Sequence, residues 1–358
     1  MKFIHCADLH LDSAMSGFEP EIAKTRKEEI LRSFERLCAL AEKESVTAVI
    51  IAGDMFDGEK VYVKTRQRVI NAIKSAANVD FLYLSGNHDK DGFSSGEDLP
   101  ENFKVFGTEW TYFSYGNTVV AGVNFNGFNK DSVYETLKLS RDKINIAVMH
   151  GQIAGYNTEV GAELVSLPRL KDKFIDYLAL GHIHAFSDGA IDERGRYAYS
   201  GCLDGRGFDE TGEKGFVLIN VQENGKLSYS FVPFCSRVLR EVPFDISPYS
   251  SQYEAVQCLS AALLKTCAES DLIKVVLNGE RTPDFYIDTS FIAQKLSENF
   301  FFVKVYDKTS LKVDIRDYEA DKSLRGEFVR KVLSSSLDEA DKTAIVNIGL
   351  TALKGEEL

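Results

Sequence analysis

The stretch Lys2-Phe3-Ile4-His5-Cys6-Ala7-Asp8-Leu9-His10 decides how this chain is read. A short apolar run, Phe3–Ala7, ends abruptly in two polar side chains separated by one residue. A run bounded in this way predicts a buried strand. On an extended backbone Asp8 and His10 alternate to the same side, so both can grip one ion. Four further blocks repeat the arrangement at the ends of later β-rich runs: Gly53-Asp54, Gly86-Asn87-His88-Asp89, Met149-His150-Gly151 and Gly181-His182-Ile183-His184. Of the six histidines only His5 lies outside these blocks.

Working outward, strand and helix alternate. Glu21–Glu44 has helical spacing, Val46–Ala52 is a continuous β-rich run, Val63–Ala76 is helical and Asp80–Leu84 is another buried strand. This βαβαβ order implies parallel strands with right-handed crossovers, and such sheets place ligands beyond the carboxyl ends of the strands. Thr118–Asn124, Ile144–Met149, Tyr177–Leu180, Tyr197–Ser200, Phe216–Val221 and Leu227–Val232 then read as strands of a second sheet packed face to face on the first. After Cys235 the pattern changes. A strand (Val242–Ile246), a helix (Tyr253–Thr266), a strand (Leu272–Leu277), a helix (Thr289–Asn299) and a hairpin (Phe300–Tyr306 with Leu311–Ile315) predict a compact α+β module, and Ser323–Leu333 and Asp338–Lys354 read as helices. The expected fold is therefore α/β (α+β): a two-sheet β-sandwich flanked by helices over 1–235, a smaller α+β module over 236–316, and a helical tail over 317–358.

A chain of 358 residues can bury a large core. No apolar run approaches the ~20 residues of a membrane helix, and the N-terminus shows no signal-peptide core. The six cysteines form no metal-finger or CxxC spacing, as expected of reduced thiols in a cytoplasmic protein with no membrane association. Cys6 reads as core and His5 as a core or second-layer histidine. A net charge of -12 counts against a broad nonspecific grip on a polyanion, yet bound cations can invert the local field at a phosphate site. Gly207-x-x-x-x-Gly212-Glu-Lys has the glycines of a phosphate loop but not its Lys and Ser/Thr placement, so the sequence carries no ATPase signature.

The blocks supply two carboxylates (Asp8, Asp54), one amide (Asn87) and four imidazoles (His10, His150, His182, His184). Mixed oxygen and nitrogen donors without thiolate suit Mn, Fe, Zn or Co better than Ca or Mg. Asp54 is placed to bridge two ions. Two divalent ions ~3.5–4 Å apart would clamp a phosphoryl group and hold a bridging hydroxide for attack on phosphorus. His88 follows a ligand on a turn facing substrate, where it would donate a proton or stabilise charge. Asp57 stands close enough after Asp54 to touch substrate or His88, whereas Asp12 and Asp89 read as loop hydrogen-bonders.

In this order the blocks resemble the calcineurin-like metallophosphoesterase superfamily, whose pattern is DxH, GD, GNH(D/E), H and GHxH. Phe3–Leu11, Ala52–Asp57, Ser85–Asp89, Leu180–His184 and Gly212-Glu-Lys-Gly-Phe216 are similar to bacterial DNA-repair exonucleases of the SbcD and YhaO type. The resemblance implies a metallophosphoesterase (nuclease) domain over 1–235, with one ion held by Asp8, His10, Asp54 and His184 and a second by Asp54, Asn87, His150 and His182. His88 would be the transition-state histidine. It also implies Mn-supported cleavage of DNA, a homodimer, an SbcC-like coiled-coil ATPase partner, a capping module at 236–316 and a partner-binding tail at 317–358. The alternatives are the same chemistry on a nucleotide or other small phosphoester, and a non-catalytic subunit, which would be expected to have lost ligands.

Overall fold

A computed structural model describes residues 1–57, 61–89, 93, 98–155, 163–282, 285–311, 318 and 321–354. The described chain divides into two compact units, Met1–Leu239 and Arg240–Leu358.

The first unit contains two six-stranded sheets. One has the order β14 (Leu227–Pro233), β13 (Gly215–Val221), β1 (Lys2–Cys6), β2 (Ala48–Ala52), β3 (Asp80–Leu84) and β4 (Phe103–Val105). The other runs β11 (Ser187–Ala190), β12 (Arg196–Tyr199), β10 (Tyr177–Gly181), β7 (Ile144–His150), β6 (Thr118–Gly122) and β5 (Thr111–Tyr115), and β8 (Gln152–Ile153) pairs separately with β9 (Leu164–Val165). Strands β1 to β4 are parallel, as are β6, β7, β10 and β12.

Alternation along the strands explains the layers. Phe3, Ala48, Ile50, Leu82 and Leu84 turn inward to meet Val120, Ile146, Val148, Tyr177 and Ala179 of the second sheet. Ile4, Cys6, Val49, Ile51, Phe81 and Tyr83 turn the other way and bury Phe34, Leu37 and Cys38 of α1 (Pro20–Lys43) with Val69 and Ile73 of α2 (Val63–Ser75). Cys6 is thus core. The outer face of the second sheet is covered by Val133 and Tyr134 of α3 (Val133–Thr136) and Leu170 of α4 (Leu167–Leu170).

One sequence expectation is corrected here. By their pattern Phe216–Val221 and Leu227–Val232 read as strands of the second sheet, but β13 pairs antiparallel with β1 (Lys2 opposite Asn220) and β14 with β13, extending the first sheet to its edge. Apolar alternation marks a strand without saying which edge it will join. Strand β5 was not anticipated. It is a half-exposed edge strand, joined to β6 through Gly116 (φ 57°) and Asn117, a turn composition suited to a hairpin.

In the second unit β15 (Leu239–Asp245), β16 (Leu272–Asn278) and β18 (Phe302–Asp307) form one sheet. Helices α5 (Gln252–Thr266) and α6 (Thr289–Leu296) supply Leu259, Leu263, Ile292 and Leu296 to the core that also holds Ile273, Val275 and Leu277. The expected hairpin is not formed by Leu311. Instead β18 runs parallel to β16, and β19 (Ser310–Leu311) pairs parallel with β17 (Glu280–Arg281). The rest of that expected strand, 312–315, lies outside the described residues, as do 317, 319–320 and 355–358 of the expected tail. Helices α7 (Leu324–Leu333) and α8 (Glu339–Lys354) share a small core of Val329, Val346 and Leu350. No helix among the described residues is long and apolar enough to cross a membrane.

Candidate metal centre

Pairing between β1 and β2 continues past the strand ends and sets the first half of the site. Asp8 N donates to Gly53 O (3.0 Å), His10 N to Asp54 O (3.0 Å) and Leu11 N to Met55 O (2.9 Å). Two loops are thereby zipped side by side. Asp8, His10 and Asp54 all have left-handed backbones (φ 52°, 43° and 51°), as does His182 (φ 100°). Such conformations cost about 1–3 kcal/mol each and cluster where function requires them. Gly53 (φ 98°) is required twice over, since a Cβ there would also collide with the His150 ring.

Backbone amides also hold both carboxylates: one reaches a single oxygen of Asp54, another both oxygens of Asp8. His88 N donates to Asp54 Oδ1 (2.9 Å), and His182 N donates to Asp8 at 2.9 and 3.1 Å. Asp54 Oδ2 then lies 3.3 Å from His150 Nε2 on one side and 3.8 Å from His10 Nε2 on the other. The ligand atoms of Asp8, His10 and His184 form one cluster, and those of Asp8, Asp54 and His150 a second, each within 4.8 Å. Asn87 Oδ1 is 3.0 Å from His150 Nε2, and the His182 ring packs edge-on to His150 with centroids 5.5 Å apart. The structure therefore gathers all seven expected ligand residues at one edge of the sandwich, and Asp8 reaches both clusters.

The tautomers follow from the partners. His150 Nδ1 is 2.9 Å from Ala52 O; a carbonyl only accepts, so Nδ1 carries the hydrogen and Nε2 faces Asp54 and Asn87. Burial works against the His150 cation, but the hydrogen bond and charge of Asp54 outweigh it and push the pKa up to about 9. Burial likewise opposes the Asp54 carboxylate, and the hydrogen bond from His150 with the charges of His150 and His10 holds it below the usual carboxylate range. His184 Nδ1 lies 2.7 Å from Glu210 Oε1, which leaves its Nε2 pointing at His10 Nε2, 3.1 Å away. His10 Nδ1 is buried, with no hydrogen-bond partner among the described residues.

His88 stands at the margin with its side chain 46% exposed, and its Nδ1 lies 3.2 Å from Asp57 Oδ1. Asp57 therefore meets His88 directly. The nearby His10 does most to hold the Asp57 carboxyl below its ordinary range, against burial and with help from Ser13 and Arg206. The other readings hold as well. Asp89 accepts from the amides of Met55 (3.0 Å), Phe56 (2.7 Å) and Gly86 (3.1 Å), and Asp12 accepts from Tyr62 N and Thr65 Oγ1, both at 2.8 Å. His5 is core, with Nε2 donating to Leu180 O (3.2 Å) and Nδ1 accepting from the Tyr177 hydroxyl (2.9 Å); burial pushes its pKa down to about 3.

Two side chains missed in the sequence also reach the site. Arg206 and Glu210 come from the loop with false phosphate-loop spacing, and nothing in Gly205-Arg-Gly-Phe-Asp-Glu210 marks them except opposite charges four residues apart. Glu210 meets His184 on one side and Arg206 on the other.

A family model described as calcineurin-like phosphoesterase matches residues 1–186. The chain belongs to that family. It is 28% identical over 250 residues to "Uncharacterized metallophosphoesterase YhaO" of Bacillus subtilis, an alignment covering 64% of this chain and 60% of the relative. It is 25% identical over 264 residues to "DNA double-strand break repair protein Mre11" of Methanopyrus kandleri, covering 65% and 56% respectively. The matches thus span less than two thirds of either relative. A dimetal phosphatase from Danio rerio superposes with a TM-score of 0.44 and 13% identity, over 62% of this chain and 93% of the other.

Calcineurin-like phosphoesterases are hydrolases that use two divalent metals, and these residues fit that pair. Imidazole nitrogens, carboxylate oxygens and an amide oxygen converge there, a mixed donor set that suits divalent transition-metal cations. Asp54 Oδ2 lies between His10 of one cluster and His150 of the other.

Proposed function

We propose that this phosphoesterase cleaves phosphodiester bonds in DNA with two divalent cations, Mn foremost. One would be held by Asp8, His10, Asp54 and His184, the other by Asp54, Asn87, His150 and His182. When bound, the cations would offset phosphoryl charge and activate water. The observation that carries the metal reading is the placement of Asp54 Oδ2 between His10 and His150. The exposed His88 is proposed to face substrate as the catalytic residue, donating a proton to the leaving oxygen or stabilising transition-state charge, with Asp57 fixing its ring.

DNA as substrate is supported by the several Mre11 relatives named for double-strand break repair. The resemblance to SbcD- and YhaO-type exonucleases further implies a homodimer working in the cytoplasm with an SbcC-like coiled-coil ATPase, residues 236–316 acting as a capping module on DNA and 317–358 binding the partner. The exposed Ile348 of α8, 56% accessible, suits that last role. A net charge of -12 favours a second reading, turnover of a nucleotide or other small phosphoester.

Labelled duplex DNA and a small phosphodiester, each assayed with Mn in wild type and Asp54→Asn, separate the readings. DNA cleavage lost in the variant supports the first; turnover of the small ester alone supports the second; no turnover of either leaves a non-catalytic subunit. His88→Ala should retain metal yet lose roughly a hundred- to ten-thousand-fold in rate. A fall in metal content instead would make His88 a ligand.

A further inference from the structure

We propose that Arg206 and Glu210 form a brace with two tasks: Glu210 aims the His184 ring at its cation, and Arg206 ties that ring to the Asp57–His88 pair. The inference rests on the two-metal reading of the site and names positioning residues that the sequence pattern does not mark.

The contacts are specific. Glu210 Oε1 takes the Nδ1–H of His184 at 2.7 Å and Arg206 Nη2 at 2.6 Å, while Arg206 Nε also reaches Oε1 at 3.0 Å. Glu210 Oε2 accepts the Arg206 backbone amide at 2.7 Å, closing the loop on itself. Glu210 is almost wholly buried, so its charge depends on these partners. A carboxylate accepting Nδ1–H fixes the tautomer, directs Nε2 toward the ion and raises the ring's basicity as a ligand. The remaining guanidinium nitrogen, Nη1, lies 3.3 Å from Asp57 Oδ2, and the other oxygen of Asp57 contacts His88. One planar fork therefore spans the carboxylate behind a ligand and the carboxylate behind the catalytic histidine.

The loop is itself anchored. Asp204 receives Arg26 Nη2 at 2.7 Å, Ser33 Oγ at 2.7 Å and the Ser236 amide at 2.9 Å, and Arg26 also donates to Gly205 O at 2.8 Å. Lys214 Nζ holds the His184 carbonyl at 2.7 Å. The ring and its brace are thus fixed from both ends, as a positioning device requires.

The test is Mn titration by calorimetry, with kcat and KM at saturating Mn. Wild type should bind two ions. Glu210→Ala should weaken one of them about 10- to 100-fold and spare the other. Glu210→Gln, which keeps an acceptor for Nδ1–H, should recover part of the loss. Arg206→Met should change Mn affinity less than Glu210→Ala but lower kcat about tenfold at constant KM, through the released Asp57–His88 pair. Glu210→Ala with two ions at wild-type affinity would overturn the first task. Arg206→Met with wild-type kcat would overturn the second, and it stands as the test if the Glu210 variants do not fold. Wild type that takes up no Mn would remove the metal reading, and the brace with it.

Discussion

His150 and His184 are aimed by opposite means. The ring of His150 donates to a main-chain carbonyl, Ala52 O, at the end of a strand in the facing sheet. Its orientation is therefore fixed by how the two sheets pack, and any chain with these strands would hold it. The ring of His184 donates to a side chain, Glu210, on an irregular loop tied down by a buried ion pair. Backbone geometry secures the one and a side-chain network secures the other. The first should be sensitive to added atoms along the backbone, the second to removed charges.

The largest effect is expected on the side-chain half. Asp204→Ala leaves the fully buried Arg26 without its chief partner, which should cost roughly 3–5 kcal/mol in urea unfolding. A loss under about 1 kcal/mol would mean that the loop is held by something else. Metal acts on both halves together. Saturating Mn at about a hundred times Kd should add ~2.7 kcal/mol of stability per ion relative to chelated protein, and a melting temperature unmoved by chelation would argue against a buried cation site. On the backbone half, Gly53→Ala should cost about 1–3 kcal/mol from the strained φ alone. It should displace the His150 ring and release Mn, while leaving the Arg206–Glu210 contacts in place. The smallest change is expected at Tyr177→Phe, which unpairs only His5 Nδ1 in the core. About 1 kcal/mol of stability should go, with Mn binding unaltered; a change in Mn affinity would give His5 a role in the site.

The same contrast explains what the sequence disclosed. Asp8, His10, Asp54, Asn87, His150, His182 and His184 are legible because each follows a β-rich run, and strand ends in a parallel sheet converge on one edge whatever the loops between them do. The buried runs Ala48–Ala52 and Tyr177–Gly181 were equally readable, since their periodicity is local. Arg206 and Glu210 were not. They work through contacts with His184 and Asp57, the latter separated from Arg206 by 149 residues, and no local pattern encodes such a meeting. Asp57 was intermediate: its spacing after Asp54 suggested two partners, and only the folded loop selects His88. The placement of β13 and β14 failed for a related reason, because the edge a strand joins is decided by its partner rather than by its own residues.

The central claim is that Asp54 is shared by two cations. Electron paramagnetic resonance of the Mn-loaded protein tests it most directly: the account predicts two Mn per chain with the signature of an exchange-coupled pair, converted to uncoupled ions or lost in Asp54→Asn. A single Mn per chain, or two that show no coupling in wild type, would contradict it.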